Sequence, residues 1–259
     1  MKRPHAKRSL GQNFLVDPTY IQRIISAVNP HDGDTIVEIG PGQGALTRPL
    51  VESGAKVILL ELDREFAAEL GSEFQENSKV TVIETDASKV DFGELLGDQQ
   101  AKLVANLPYN VSTAILQQLC LRRSYFTEMV LMFQREVVER IAAVPGSSER
   151  GFLTVLVERY LDVQHLFDVP PAAFRPRPKV TSSVARIVPR EAAAGSDDEF
   201  RRLISWAFAQ KRKTILNNLK GVYGDAAEKL EASGIEPGRR AETLSLDDWE
   251  LLLKSLKTG

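Results

Sequence analysis

The chain has little cysteine and little histidine. A single cysteine, Cys120, in 259 residues excludes an internal disulfide. It lies in the apolar stretch from Ile115 to Leu121, so it reads as a buried, inert thiol and not as a nucleophile. The three histidines, His5, His31 and His165, have no metal-like spacing to cysteine or to carboxylates, so no metal is implied. Long apolar runs are also missing: none approaches the roughly 18 residues that a membrane helix needs. Met1 to Arg8 is basic, but the polar Gly11-Gln12-Asn13 comes soon after it, so no signal-peptide apolar region is expected. No membrane partner and a cytoplasmic location are therefore expected. Net charge is scarce too, at −2, which on its face argues against nucleic acid.

The distribution of charge points the other way. Residues 1–16 hold Lys2, Arg3, Lys7 and Arg8. Residues 171–190 hold Arg175, Arg177, Lys179, Arg186 and Arg190. Residues 201–220 hold Arg201, Arg202, Lys211, Arg212, Lys213 and Lys220. None of the three segments contains an acid, and together they carry fifteen of the 33 basic residues. Segregated basic charge is the footprint of a polyanion-binding surface whatever the total. Phe14, Phe174 and Trp206 lie in the same segments as possible stacking partners. The alternative is three separate solvated faces. The composition, 43% hydrophobic and 26% charged, is that of an ordinary globular protein, and the length suits one large domain plus a small appendage.

Asp17-Pro18 reads as an N-cap followed by proline at the first helical position, and a helix to about Val28 is expected after it. Strands and helices then alternate. Strands are expected at Thr35–Ile39, Val57–Glu61, Lys79–Glu84, Leu103–Ala105 and Met129–Phe133. Helices are expected at 45–53, 64–75, 111–121 and on to Ala143. This βαβα order predicts a mostly parallel sheet covered on both faces. After a helix near 151–161, Val163–Val169 and Val180–Val188 are strands with no helix between them, so one late strand should run antiparallel. Pro189 to Ser196 is rich in alanine and lacks periodicity; Asp197-Asp198 should then cap a helix. Residues 198–259 read as helices only. The expected division is a catalytic domain over 1–189, whose first 30 residues are a basic arm and helix, and a small all-α domain over 190–259.

Asn106-Leu107-Pro108-Tyr109 sits where a buried strand should end and a helix begin, and ligands in open α/β sheets bind at such carboxyl ends. Asparagine offers a carbonyl acceptor and an amide donor to an amino group. Proline limits the backbone, and tyrosine gives a flat face for a base. A turn with a buried tyrosine is the plain alternative. Upstream, Glu38-Ile39-Gly40-Pro41-Gly42-Gln43-Gly44 follows the first sheet strand. Its glycines allow a tight turn and close approach of a ligand. Alone, Gly40-x-Gly42-x-x-Ala45 does not separate NAD from other adenosine cofactors. Glu61 ends the second strand, where a carboxylate can take two ribose hydroxyls. Asp86 ends the third and could accept from an adenine amino group. Each of these two could instead be only a helix N-cap.

Together, Gly40–Gly44, Glu61, Asp86 and Asn106–Tyr109 resemble the class I (Rossmann-like) S-adenosylmethionine methyltransferase arrangement with the tetrapeptide of N6-adenine methylases. Gln12-Asn13-Phe14-Leu15, Asn106 to Ser112, Phe174-x-Pro176-x-Pro178-Lys179-Val180 and Phe208-x-Gln210-x-Arg212-Lys213-Thr214-x-x-Asn217-Asn218-Leu219 extend the likeness. They resemble the KsgA-type small-subunit ribosomal RNA adenine dimethyltransferase family over almost the whole chain. That resemblance implies N6,N6-dimethylation of two adjacent adenosines in the 3′-terminal hairpin of 16S rRNA, with the small ribosomal subunit as partner, no DNA, and a monomer. It implies S-adenosylmethionine contacts from Asn13, Leu15, Gly40, Gly42, Glu61, Leu62, Asp86, Ala87 and Asn106. It implies a target-base site from Asn106, Leu107, Pro108, Tyr109 and Phe174, and RNA contacts from Arg8, Lys179, Lys211, Arg212 and Lys213. For Phe174 a core aromatic beside a proline-rich loop is the alternative.

Two residues depart from the family pattern: Arg150, where an aromatic is expected before Gly151, and Thr181, where an acid commonly follows Lys179-Val180. Three rival readings remain. A large-subunit rRNA adenine methylase of the macrolide-resistance type shares the loop and the tetrapeptide. The C-terminal run Gln210 to Thr214, and Arg239-Arg240-Ala241-Glu242-x-Leu244-Ser245, favour the small-subunit family over it. An NAD-dependent oxidoreductase explains Gly40–Ala45 and Glu61 but not Asn106–Tyr109. A non-catalytic ribosome-assembly protein is the third.

Overall fold

The computed structural model describes residues 12–109, 111–191 and 196–257. In chain order the elements are β1 (Phe14–Leu15), α1 (Pro18–Val28), β2 (Thr35–Ile39), α2 (Thr47–Glu52), β3 (Lys56–Glu61), α3 (Arg64–Glu73) and β4 (Val80–Glu84). Then come α4 (Phe92–Leu96), β5 (Ala101–Asn106), α5 (Ser112–Leu121), β6 (Phe126–Gln134), α6 (Arg135–Ile141), α7 (Phe152–Tyr160) and β7 (Leu161–Val169). The last are β8 (Phe174–Arg175), β9 (Ser182–Pro189), α8 (Asp197–Ala207), α9 (Ile215–Leu219), α10 (Ala226–Ala232) and α11 (Leu246–Lys257).

Seven strands form one sheet in the order β4-β3-β2-β5-β6-β9-β7. The pairs β4/β3, β3/β2, β2/β5 and β5/β6 are parallel. β9 returns antiparallel to β6, from Met129↔Ile187 to Gln134↔Ser182. The central strands are near-continuous apolar runs, as a sheet covered on both faces requires: Ile36, Val37, Val57, Leu59, Val104 and Leu131 are all buried. Chain order reverses between β2 and β5, so the crevice beyond their carboxyl ends is the switch point where such sheets bind ligands.

The expected architecture, an α/β Rossmann-like sheet, mostly parallel, with one late antiparallel strand and a C-terminal helical part, is what the chain adopts. Asp17 caps α1 as expected from the sequence, its side chain accepting from the Thr19 N–H. At α8 the cap is Ser196, one residue before the expected pair; its hydroxyl oxygen accepts from the Glu199 N–H, and Asp197 and Asp198 occupy the first turn, where they favour the helix dipole.

The chain forms two compact units, 1–138 with 162–189, and 139–161 with 190–259. The segment 139–161, expected from the sequence to stay with the sheet, thus belongs to the helical unit. The cause is the apolar face of α7: Val155, Leu156, Val157 and Tyr160 are buried, and α7 packs on α8 and α11. Within that unit Arg159 is also buried; its guanidinium lies 2.8 Å from Glu250 and 3.9 Å over the Phe200 ring centroid. No helix among the described residues is long and apolar enough to cross a membrane.

One element has no counterpart among the expected strands. β1 and β8 make a two-stranded antiparallel sheet, with Phe14↔Arg175 and Leu15↔Phe174 in register. The Val16 N–H extends it to the Ala173 carbonyl at 2.8 Å. Two motifs about 160 residues apart in the chain are thereby held together at the edge of the crevice.

Candidate active site

The glycine loop closes the end of β2. Gly40, Gly42 and Gly44 all have positive φ, at 67°, 52° and 75°, which side-chain-bearing residues rarely adopt. At Gly42 space adds a second demand, because a Cβ there would stand 2.9 Å from the Phe14 ring. Arg48 on α2 holds the far end of the loop: Nη1 donates to the carbonyls of Gln43 at 2.8 Å and Gly44 at 3.0 Å. Its Nε and Nη2 form a two-pronged pair with Glu73.

Glu61, at the end of β3, is buried. Its Oε2 accepts from the Gly42 N–H at 2.9 Å and its Oε1 from the Asp63 N–H at 2.8 Å. These donors fix the carboxylate and leave each oxygen a further lone pair to offer a hydroxyl. Burial is the largest influence on its carboxyl and raises its pKa despite those donors. Asp86 does cap the turn after β4, its Oδ1 accepting from the Ser88 N–H and hydroxyl. Those bonds lower its pKa and keep it ionised, with Oδ2 turned to the side of Lys89. The cap does not exclude a ligand role, because one oxygen serves each.

Asn106 ends β5. Its Nδ2 donates to the Asn13 backbone carbonyl at 3.1 Å. A carbonyl can only accept, so this contact sets which end of the amide is which and directs Oδ1 the other way. The carbonyls of the next three residues divide by role. That of Pro108 accepts from the N–H groups of Val111 and Ser112, and that of Tyr109 from the Ser112 hydroxyl. Both are engaged in starting α5, whereas among the described residues no N–H of α5 is bonded to the Leu107 carbonyl. Tyr109 is half-buried, and its hydroxyl is 2.6 Å from the Ser182 hydroxyl on β9. Burial pushes its phenol up, so it stays neutral.

These groups line two adjoining cavities. One is walled by Gln12, Asn13, Phe14, Gly40, Gly42, Glu61 and Asn106 to Tyr109. The other has a volume of about 200 Å³ and adds Leu62, Asp86, Ala87, Val111, Ala114 and Ile115. Leu62, 56% exposed, is an apolar surface residue that a planar ligand would cover. An adenosine fits the second cavity in kind. Glu61 suits two ribose hydroxyls, Asp86 suits an exocyclic amine, and Leu62, Ala87, Val111 and Ile115 form apolar walls for the purine.

Of the residues singled out from the sequence, Asn13, Gly40, Gly42, Glu61, Leu62, Asp86, Ala87, Asn106, Leu107, Pro108 and Tyr109 all line this region. Two do not. Phe174 is fully buried, and Leu15 is 3% exposed, in one core cluster with Val169 and Ala173. Pairing of β1 with β8 turns both inward, so Phe174 takes the core alternative, while Tyr109 keeps its place on the cavity wall. Lys179, Lys211, Arg212 and Lys213 are exposed. Arg8 lies outside the described residues. Arg186 leaves the proposed basic surface, because its guanidinium donates to the Ala27 carbonyl at 2.6 Å and sits 3.3 Å from Glu128.

The departure at Arg150 is structural. The side chain is 1% exposed and its guanidinium bonds the Ala143 and Leu244 carbonyls and Glu158. At Thr181 the backbone carbonyl accepts from the Arg135 N–H at 3.0 Å. Val111, Ala114 and Ile115 were missed as wall residues. Their i, i+3, i+4 spacing is one helix face, and the sequence marks the helix over 111–121 without naming what that face meets.

Glu38 lies behind the loop, 2% exposed, its Oε2 accepting from the Thr47 hydroxyl at 2.7 Å. Burial raises its pKa to about 8. A raised carboxyl binds its proton more tightly folded than unfolded. Its contribution to stability is therefore fullest below about pH 4.5 and is lost, at roughly 1.4 kcal/mol per pH unit, as pH rises to about 8. Glu38→Gln should flatten that decline: the difference in unfolding midpoint between variant and parent should grow steadily between those pH values and then level off. Parallel curves would rule out a raised Glu38 pKa.

Comparison with known proteins agrees with this geometry. A model of the family described as ribosomal RNA adenine dimethylase matches residues 3–258. A "Ribosomal RNA small subunit methyltransferase A" from Laribacter hongkongensis is 44% identical over 255 residues, 97% of this chain and 96% of that protein. A protein of the same description from Geobacter metallireducens is 41% identical over 262 residues, covering 97% and 95%. Among solved structures, a dimethyladenosine transferase from Plasmodium falciparum superposes with a TM-score of 0.80 at 28% identity, covering 94% of this chain and 98% of that one. The 23S rRNA methyltransferase ErmE superposes with a TM-score of 0.69 at 22% identity, over 95% and 100%, a likeness of fold alone.

Proposed function

The chain belongs to the ribosomal RNA adenine dimethylase family, and on that premise we propose that it transfers methyl groups from S-adenosylmethionine to N6 of two adjacent adenosines in the 3′-terminal hairpin of 16S rRNA. The product is N6,N6-dimethyladenosine in the small subunit. One observation carries the reading: the Asn13 carbonyl orients the Asn106 amide at the switch point, beside a cleft suited to adenosine.

When bound, S-adenosylmethionine supplies an electrophilic methyl group on a sulfonium. The protein's task is to present a poor nucleophile, since the N6 lone pair is delocalised into the purine. Asn106 Oδ1 and the Leu107 carbonyl accept the two N6–H bonds. This favours a pyramidal nitrogen whose lone pair points at the methyl, and such alignment is worth roughly 7–11 kcal/mol. Tyr109, held by Ser182, stacks the flipped base. Glu61 is the carboxylate lining this cavity, and both its oxygens already accept from backbone donors. It therefore serves as a ribose acceptor, and the acidic proton of the methylated, cationic N6 passes to solvent after the methyl has arrived. After one transfer a single N–H remains, so one of the two acceptors then faces a methyl group.

Flipping a base costs a few kcal/mol and stacking returns about 1–3 kcal/mol. The two nearly cancel, so substrate choice falls to phosphate and shape contacts by exposed cations such as Lys179, Lys211, Arg212 and Lys213. Binding to small subunits should then weaken steeply between ~50 and 200 mM salt; a flat response would remove these residues from the reading.

The experiment that tests the function is methyl transfer from labelled S-adenosylmethionine to small subunits lacking the modification, with large subunits in parallel and nucleoside mapping. N6,N6-dimethyladenosine at adjacent small-subunit positions is expected. Label in large-subunit rRNA would overturn the substrate assignment. Absence of label in both, with cofactor bound, would overturn catalysis.

A further inference from the structure

The helical unit holds a cavity that the transfer reaction does not use. Its walls are Glu199, Arg202 and Trp206 of α8, Tyr223 after α9, and Leu253 and Leu256 of α11, around about 260 Å³. One water needs only ~10–15 Å³, so the space can take a group much larger than trapped solvent.

The cavity has two chemical ends. Trp206 and Tyr223 meet edge to face, with centroids 5.6 Å apart and planes at 77°, and the two leucines continue that apolar side. Arg202 and Glu199 make the other, polar part of the wall, a guanidinium donor and a carboxylate acceptor. A ligand matching both ends has a flat apolar body and an edge carrying acceptors and N–H donors. The surrounding chain adds a third requirement. From Phe200 to Tyr223 it carries Arg201, Arg202, Lys211, Arg212, Lys213 and Lys220 and no acid, which favours a ligand attached to phosphates. An apolar protein side chain would fill the leucine and tryptophan side but would use neither the charged end nor the basic stretch.

We infer that this cavity takes one unpaired nucleobase of the RNA substrate, stacked on the aromatic pair with its hydrogen-bonding edge toward Arg202 and Glu199. The inference rests on the rRNA reading above and adds a base-holding site to that of Tyr109. Single-stranded RNA is commonly held this way, by aromatic faces beside cations.

Trp206 is a built-in reporter, because the other tryptophan, Trp249, is fully buried. The full chain would be titrated with a single-stranded RNA hexamer of mixed sequence and with the abasic hexamer that keeps the same sugar-phosphate backbone. Saturable quenching of tryptophan emission by the first and not the second is expected. Trp206→Phe should abolish the signal, and Tyr223→Leu should raise the dissociation constant roughly 5- to 150-fold, the worth of one stacked base. Arg202→Gln, at an exposed position, tests the polar end without disturbing the packing and should weaken the hexamer in the same direction. Equal quenching by the abasic strand, or none from a preparation that still methylates small subunits, would overturn the inference while leaving the transferase reading intact. Variants that weaken binding to whole subunits but not to the hexamer would overturn it in favour of a protein side chain as occupant.

Discussion

Asn106→Ala should lower turnover by about 10²–10³-fold or more, the range seen when one preorganised hydrogen-bonding group is removed from a reacting centre, while S-adenosylmethionine affinity falls far less. The split comes from where the side chain points. Its Nδ2 is committed to the Asn13 carbonyl, so Oδ1 is the end available to a substrate amine. Alanine removes that acceptor and releases Asn13, but it leaves Glu61, Asp86 and the apolar cleft as they are. Equilibrium cofactor binding and single-turnover methyl transfer, measured on one preparation, separate the two effects; near-parental turnover would refute the role.

The Asp variant sharpens the test. Asn106→Asp keeps the size and the acceptor, yet an ionised carboxylate facing the Asn13 carbonyl sets two acceptors against each other. It cannot donate that bond, so it should swing away and lose turnover nearly as fully as alanine. If Asn106→Asp were active, the amide orientation would not matter and the Asn13 contact would have no bearing on catalysis. Ser182→Ala probes the neighbouring tether. It frees the Tyr109 hydroxyl and should raise KM for the RNA several-fold with cofactor affinity unchanged, since Ser182 touches the ring that stacks and lines neither cavity.

What the sequence made legible, and what it hid, divides by the range of the interaction. The sheet strands and the α1 cap were readable because periodicity and capping are local: Thr35–Ile39 and Pro18–Val28 fall where the pattern put them. The glycine loop, Glu61, Asp86 and Asn106 were readable because each is the last group of a strand or the turn after it, and strand ends converge at a switch point. The inward turn of Leu15 and Phe174 was not readable, because it depends on β1 pairing with β8 across about 160 residues and nothing local marks so short a ladder. The membership of 139–161 was hidden for a similar reason, since an apolar helix face does not name its partner. Arg150 stood out in the sequence only as a departure from the family pattern, because nothing local marks an arginine as buried. Only the three-dimensional arrangement shows the two carbonyls and Glu158 that allow it to be buried.

Glu61 should prove as sensitive to a conservative change as to a drastic one, with cofactor binding as the property lost. Both its oxygens accept from backbone N–H groups, Gly42 at 2.9 Å and Asp63 at 2.8 Å. Glutamine has one acceptor oxygen and one NH₂, so whichever way it turns, a donor meets a donor inside a buried pocket. An unsatisfied buried group costs roughly 1–3 kcal/mol, and the ribose hydroxyls lose a charged acceptor worth about as much again. Glu61→Gln should therefore weaken S-adenosylmethionine about 100-fold or more, close to Glu61→Ala, with the RNA contacts untouched. The parent enzyme should show the same dependence as a function of pH. Because burial raises the Glu61 pKa, the carboxyl takes its proton above the ordinary carboxylate range. Cofactor affinity should therefore begin to fall, as pH is lowered, before exposed carboxylates titrate. In Glu61→Gln that acid limb should vanish. A variant that kept both the affinity and the acid limb would move the ribose from Glu61 to another group in the cleft.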